Sequence, residues 1–274
     1  MQAYRMVEKE MNVLPDNSAL SAEYCDRWSG ILNVDGKFVK IKGYEKKVPF
    51  IYSIDYHTHD IPVGILAPAE SLEAYAKLFG LIKQVKYKPR LIVGDDAPAL
   101  QSALSWAFPG VPFQLCHTHY LENFREALKV RTEGKHRAFF SEFQQVFKRG
   151  KSKEERFFIL EDLEKRFGGL DRALGWIVQN VRERYMELFA FEKIRDYAPH
   201  SNNIIESFNS HLQGRLTTIK GFKSWKGAER WLNAWMIRRR TKPFTDCEKP
   251  FLHLNGHCGL EMSIKIGKNF PKLY

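Results

Sequence analysis

The sequence predicts an α/β fold in which a mixed five-stranded sheet is interrupted by an all-helical insertion, and three observations lead there. Three β-patterned runs follow one another at residues 31–41 (ILNVDGKFVKI), 48–56 (VPFIYSIDY) and 61–67 (IPVGILA). Two further strand-like runs, 90–94 (RLIVG) and 111–116, alternate with amphipathic helical patterns at 70–87 and 97–108. From residue 119 to about 198 the β signal gives way to long helical spacing. The order β-β-β-α-β-α-β suits a three-stranded meander followed by strands parallel to the first, joined by helical crossovers.

Each element has its own justification. Ser18 or Ser21 is expected to cap a short helix running to Trp28, which Gly30 ends. The first strand places Ile31, Asn33, Asp35, Lys37, Val39 and Ile41 on one face, and Leu32, Val34, Phe38 and Lys40 on the other. A polar turn of His57, Thr58, His59 and Asp60 separates the second strand from the third. Leu72, Tyr75, Ala76, Phe79, Ile82 and Val85 share one helical side before Pro89 breaks the pattern, and Pro109-Gly110 ends the next helix. Phe139, Phe143, Val146 and Phe147, then Phe157, Leu160, Leu163 and Phe167, then Ile177, Val181, Tyr185 and Leu188 have the spacing of packed cores in the insertion. Residues 202–216 read as a helix capped by Ser201 or Asn202, with Glu206 about one turn in, and 224–240 as another. Beyond Pro243 periodicity is lost, and the tail is expected to wrap the surface. The expected organisation is a short extension (1–30), a core (31–124 with 199–240), a helical insertion (125–198) and a tail (241–274).

Composition narrows the function. An apolar content of 44% is ample for a buried core, and Lys plus Arg (43) exceed Asp plus Glu (32), giving a net charge of +11. That balance suggests an anionic partner, nucleic acid above all, although a basic enzyme with a solvated Lys/Arg surface has the same balance. Cys25, Cys116, Cys247 and Cys258 form no Cys-x-x-Cys pair, which argues against a disulfide framework or a self-contained zinc module and for a reducing compartment. The opening MQAYRMVEKEMNV lacks an apolar signal core, and no run approaches the roughly 18 apolar residues of a membrane span. A cytoplasmic protein, nucleoid-associated if it acts on DNA, is expected.

The chemistry centres on acids. Asp35 lies within an apolar strand, where a charge is costly unless paired with a cation or metal. Asp95 directly ends a buried strand, the place where open α/β sheets put ligand-binding groups. If the two strands are neighbours the carboxylates converge, and one or two Mg²⁺ or Mn²⁺ ions between them reverse the sign of the local field. Glu206 can complete such a cage, and hard oxygen donors favour these ions over zinc. Each acid has a plain alternative. Asp96 competes with Asp95 but can cap the helix starting at Ala97, Asp55 reads as a strand-end residue, and Glu206 in a first helical turn simply favours the dipole. Lys220, Lys223, Lys226, Arg230, Arg238, Arg239 and Arg240 surround Trp225, Trp231 and Trp235. The basic groups are phosphate-contact candidates or a solvated helix end, and the tryptophans at spacing four read as core. His57, His59, His253, His257 and Cys258 match no zinc spacing and read as turn and tail residues.

Four segments, NVDGKFVKIKG around Asp35, LIVGDDAPAL around Asp95, FPGVPFQLCHTHYLENF, and SNNIIESFNSHLQGRLTTIKGF around Glu206, resemble in this order the DDE transposases of the Mutator-like and bacterial insertion-sequence group. The resemblance implies a ribonuclease-H-like core, metal-holding roles for Asp35, Asp95 and Glu206, and DNA strand cleavage followed by strand transfer by a 3′-hydroxyl with two Mg²⁺ or Mn²⁺ ions. It also implies the helical insertion between the second Asp and the Glu, DNA partners (transposon ends and target), and a homo-oligomer on DNA. Cys116 and His119 match the family's Cys-x-x-His pair, for which a buried Cys and a packed His is the alternative reading. Among the basic residues, Lys220, Lys223, Arg230, Arg238, Arg239 and Arg240 are the expected DNA contacts. Related transposases usually carry an N-terminal DNA-binding region, whereas about 30 residues precede the first strand here. End recognition then falls to the insertion and the basic C-terminal helix, or the chain is a truncated frame. Two rivals stand beside an active transposase: a non-catalytic DNA-binding regulator of transposition, and a ribonuclease-H-like nuclease that cuts without joining.

Overall fold

A computed structural model describes residue 11 and residues 13–194 and 197–271; residues 1–10 and 12 of the expected extension and 272–274 of the expected tail lie outside the described residues. The chain divides into two compact units, Met1–Pro112 with Asn202–Tyr274, and Phe113–Ser201.

The strands are β1 (Ile31–Val39), β2 (Val48–Asp55), β3 (Gly64–Leu66), β4 (Leu91–Gly94) and β5 (Phe113–Leu115), in sheet order β3-β2-β1-β4-β5. β1 and β2 pair antiparallel, as do β2 and β3, while β4 runs parallel to β1. The expected mixed five-stranded α/β sheet is therefore present. β2 is buried at every position, which is why its sequence reads as a near-continuous apolar run.

In the first unit α1 (Asn17–Tyr24) is capped by Asp16, not by Ser18 or Ser21: its Oδ1 accepts from the Ser18 and Ala19 amides. The helix ends at Tyr24, short of Trp28. α2 (Leu72–Gln84) starts from a Ser71 cap, and α3 (Pro98–Ala107) uses the proline as its first residue. Ala97 occupies the cap of α3, so Asp96 does not cap it. After the second unit come α9 (Asn203–Ile219) and α10 (Trp225–Thr241). They cover the sheet face that carries Val39, Phe50, Tyr52 and Ile54, inserting Ile205, Phe208 and Leu212 from α9 and Leu232, Trp235 and Met236 from α10. Trp235 stands edge-on to Phe50 and Tyr52 and Trp231 packs on Phe222, in keeping with core roles.

Two carboxylates are enclosed in this unit. Asp55, at the end of β2, accepts from the Ser29 amide and hydroxyl, the Thr58 amide and hydroxyl, and the Tyr87 hydroxyl. Burial pushes its carboxyl up, and those donors hold it back. Asp60 accepts a two-pronged bond from Arg240, at 2.7 Å to Oδ1 and 2.9 Å to Oδ2, and further bonds from Trp28 Nε1 and Ser263 Oγ. Both partners of the pair are 0% exposed. The C-terminal residues do not lie loosely over the surface as expected: Leu254, Cys258, Leu260 and Ser263 are buried, and α11 (Gly259–Ser263) delivers Ser263 to Asp60. Lone apolar side chains and one buried acceptor hold this segment, so no periodicity announced it.

The second unit holds α4 (His117–Ala127), α5 (Arg137–Phe143), α6 (Lys153–Phe167), α7 (Arg172–Glu183) and α8 (Tyr185–Leu188). Phe139, Phe143, Val146, Leu160, Leu163, Ile177 and Val181 fill its interior, as their spacing predicts. The fully buried Arg156 stacks on Phe189, donates to the Val146 carbonyl and pairs with Glu192. Among the described residues no helix is long and apolar enough to cross a membrane.

Two outcomes are expected. Arg240→Met leaves Asp60 buried without its counter-ion and should cost about 3–5 kcal/mol in urea unfolding, against less than about 1 kcal/mol for Arg238→Met on the exposed side of the same helix. In the second unit, burial lowers the His117 pKa to about 3 from its ordinary 6.5. The unfolded state therefore binds more protons between these values. Stability is fully present above about pH 6.5 and should fall below it by up to about 1.4 kcal/mol per pH unit, a slope that His117→Asn reduces.

Candidate active site

β1 and β4 pair with Asn33 opposite Val93, so Asp35 and Asp95 stand at equivalent positions, each two residues further on. Neighbouring strands lie about 4.8 Å apart, which brings the two carboxylates to one place. Both are half-buried and Asp96 is exposed.

The amides of α9 and its cap hold the pair. Asn202 precedes the helix, but its side chain makes no cap bond. Its Oδ1 accepts from Asn33 Nδ2 at 2.8 Å, and its Nδ2 donates to the Val34 carbonyl at 3.2 Å and, more weakly, to Asp95 Oδ1 at 3.5 Å. Asn209 Nδ2 donates to Asp35 Oδ2 at 2.7 Å, while Asp35 Oδ1 accepts from the Gly36 amide. The Tyr52 hydroxyl donates to Asn209 Oδ1 at 2.9 Å and so orients that amide. Burial, then the Asp35 charge, raises the Tyr52 hydroxyl well above its ordinary pKa and keeps it a donor.

Residues spaced by four and three share one helix face, so Glu206 lies between Asn202 and Asn209 on the face that meets both aspartates. Asp35 and Asp95 thus lie side by side in the first unit, and Glu206 lies on the helix turn between the two asparagines that bond them. Glu70, just ahead of α2, joins them: its carboxylate crosses Gly36 so closely that a side chain there would collide with it. Burial and then Asp95 raise its pKa. Tyr75 is buried among these acids, and burial followed by the charges of Glu70, Asp35 and Asp95 raises its hydroxyl.

The basic candidates separate. Lys220, Lys223 and Arg238 are exposed and Arg230 is half-buried. Arg239 lies over the Phe208 ring, 4.5 Å from its centroid. Arg240 is a correction: it is sealed from solvent and its donors go to Asp60, Asn17, Ser21 and Cys25, which leaves it nothing for phosphate. In the second unit Cys116 is buried immediately before α4, and His119 sits half-buried in its first turn.

Sequence reasoning missed Asn202, Asn209, Tyr52 and Glu70 as site residues. The spacing of Asn202 and Asn209 from Glu206 was the available signal; Tyr52 is indistinguishable from core in its strand, and Glu70 was read as the first residue of the 70–87 helix, whereas α2 starts at Leu72 from the Ser71 cap.

A family model described as "Transposase, Mutator family" matches residues 60–241, more than half of the chain. The chain belongs to the Mutator family of transposases. A search of curated proteins finds no match. In this Mutator-family chain the matched span includes Asp95 and Glu206 and begins after Asp35. Family membership makes DNA its partner and DNA cleavage and transfer its general activity.

Asn209→Leu should lower the DNA-cleavage rate roughly 10–100-fold, the usual effect of removing a group that orients a ligand. The half-saturating Mg²⁺ concentration should rise with it, and a normal Mg²⁺ midpoint would assign Asn209 to packing alone.

Proposed function

We propose that this transposase cleaves DNA strands and joins them to a new site through a DDE triad of Asp35, Asp95 and Glu206 on a ribonuclease-H-like core with a helical insertion. The observation that carries the reading is the equivalent register of the two aspartates on adjacent parallel strands, with both carboxylates bonded from the one helix face that also bears Glu206.

The donor set fits a divalent metal. Asp35, Asp95 and Glu206 offer hard oxygens, and acids this close repel one another unless a cation joins them. These three residues would hold Mg²⁺ or Mn²⁺, two ions in the family pattern. Bound there, such ions supply Lewis-acid stabilisation of phosphate oxygens and a more acidic attacking hydroxyl. The chain's own residues position the ligands: Asn209 fixes Asp35, Tyr52 fixes Asn209, and Asn202 ties Asp95 to β1. Pre-set carboxylates need no reorganisation when the phosphodiester arrives. DNA ends and target are the partners in this reading, with Lys220, Lys223, Arg230, Arg238 and Arg239 as phosphate contacts and a homo-oligomer pairing the ends.

The test compares wild type with Asp35→Ala, Asp95→Ala and Glu206→Ala on duplexes carrying the element's ends, in Mg²⁺ or Mn²⁺. Each substitution should reduce cleavage and joining at least about 10³-fold while binding and the unfolding midpoint persist. Joining at the wild-type rate by any of the three would sink the triad. Binding without cutting by the wild type in either metal would favour the non-catalytic regulator, and cutting without joining the nuclease.

A further inference from the structure

The β1–β2 connection, KIKGYEKK at residues 40–47, carries Lys40, Lys42, Lys46 and Lys47, all exposed, against the single acid Glu45. The α9–α10 turn, KGFKSWK at residues 220–226, adds exposed Lys220, Lys223 and Lys226 and has no acid. The two segments are one structure. The Lys42 amide donates to the Phe222 carbonyl and the Phe222 amide to the Lys40 carbonyl, each at 2.8 Å. Ile41 and Phe222 form a parallel bridge and are both buried, so Lys40 and Lys42 beside Ile41, and Lys223 beside Phe222, are exposed on an anchored backbone. Gly221, at φ +119°, lets the turn approach Lys40, because a Cβ there would meet the Lys40 carbonyl at 3.2 Å. Above the bridge the rings of Tyr44 and Trp225 lie 5.5 Å apart, tying the tip of the hairpin to the start of α10.

We propose that this hairpin and turn form a single basic platform that grips the phosphate backbone of duplex DNA about five base pairs from the acid pair. Lysines are point charges that suit phosphates without reading sequence, and a braced backbone spares the ordering cost that a loose basic tail would incur. The platform offers little apolar surface beyond Tyr44, which favours a nucleic acid over a lipid surface. The spacing follows from β1: Lys40 is five residues beyond Asp35, or about 17 Å at about 3.3 Å per residue, and a duplex rises about 3.4 Å per base pair. Only this spacing rests on the triad reading; the grip itself does not.

The test is anisotropy of a labelled 30-base-pair duplex with the full chain in EDTA across a KCl series, where no cutting is required. Lys42→Gln/Lys46→Gln/Lys47→Gln should bind about tenfold or more weakly at 100 mM salt, with a log–log salt slope shallower by up to about 2.7. Lys83→Gln/Lys86→Gln/Lys88→Gln, which removes the same charge beside the far end of β4, should stay within about twofold of wild type. On cleavable duplexes, trimming one flank to fewer than about five base pairs from the cut should erase the difference between the platform variant and wild type. A platform variant that binds like wild type, or a control that loses as much, overturns the proposal. So does equal loss of affinity for anionic vesicles and DNA, which would signal a nonspecific charge effect. A wild type that binds through the platform yet never cuts would sink the triad reading and leave this one standing.

Discussion

Arg240 and Asp60 are both removed from water, and everything on the α9–α10 face of the sheet is arranged around that fact. Desolvating two ions costs several kcal/mol each and is offset only when geometry and additional hydrogen bonds are close to ideal. Here the fork of the guanidinium matches both carboxylate oxygens, and its remaining donors reach the Asn17 carbonyl and side chain, Ser21 Oγ and Cys25 Sγ. Asp60 takes two further donors, from Trp28 and Ser263. Burial raises its pKa, but Arg240 and those donors outweigh it, and the carboxyl ends below its ordinary range. One ion pair thereby joins α1, the β2–β3 turn, α10 and α11, four segments far apart in sequence. An apolar contact would tolerate sliding among them; a fully satisfied buried pair does not.

With α10 fixed, the position of α9 follows. The two helices share the core that contains Phe50, Tyr52, Ile205, Phe208, Leu212 and Trp235, so α9 has one seat on β1 and β2. That seat decides which of its polar residues meet the strands. Three environments then give aspartate three different uses. Asp60 is enclosed with a cation, Asp55 is enclosed with neutral donors and has a raised pKa, and Asp35, within β1, and Asp95, just past β4, stand half-buried with amide donors from Asn209 and Asn202. Only the last arrangement leaves the carboxylates partly exposed to solution. Solvation and partners, more than proximity to other acids, separate the structural aspartates from the candidate ligands.

Much of this was legible in the sequence because it depends on local periodicity. The strands, the crossover helices, the place of Asp35 within β1 and that of Asp95 at the end of β4 follow from alternation and helical spacing, and β4 had to lie beside β1 for the acids to converge. What escaped prediction depends on contacts between distant segments. Arg240 looked like a phosphate contact because it closes a run of three arginines, and nothing local reveals that Asp60, 180 positions earlier, turns it inward. The C-terminal segment looked formless because it is held by scattered side chains and not by a repeating face. Asn202 looked like a helix cap, which is what an asparagine before a helix normally is; the competing acceptor and donor on β1 took its side chain instead.

The acid pair and the basic platform are joined by two rods of different kinds, and their lengths agree. Along β1, five residues at about 3.3 Å separate Asp35 from Lys40, about 17 Å. Along α9, eleven residues at about 1.5 Å separate Asn209, which bonds Asp35, from Lys220, again about 17 Å. The helix is tied to the strand at both ends, by the Asn209 bond at one and by the Phe222 backbone bonds at the other. A strand alone can twist and a helix alone can pivot, but two rods of equal length pinned at both ends form a closed frame. The frame therefore fixes the separation of the two backbone segments, and the lysine stems add their own reach on top of it.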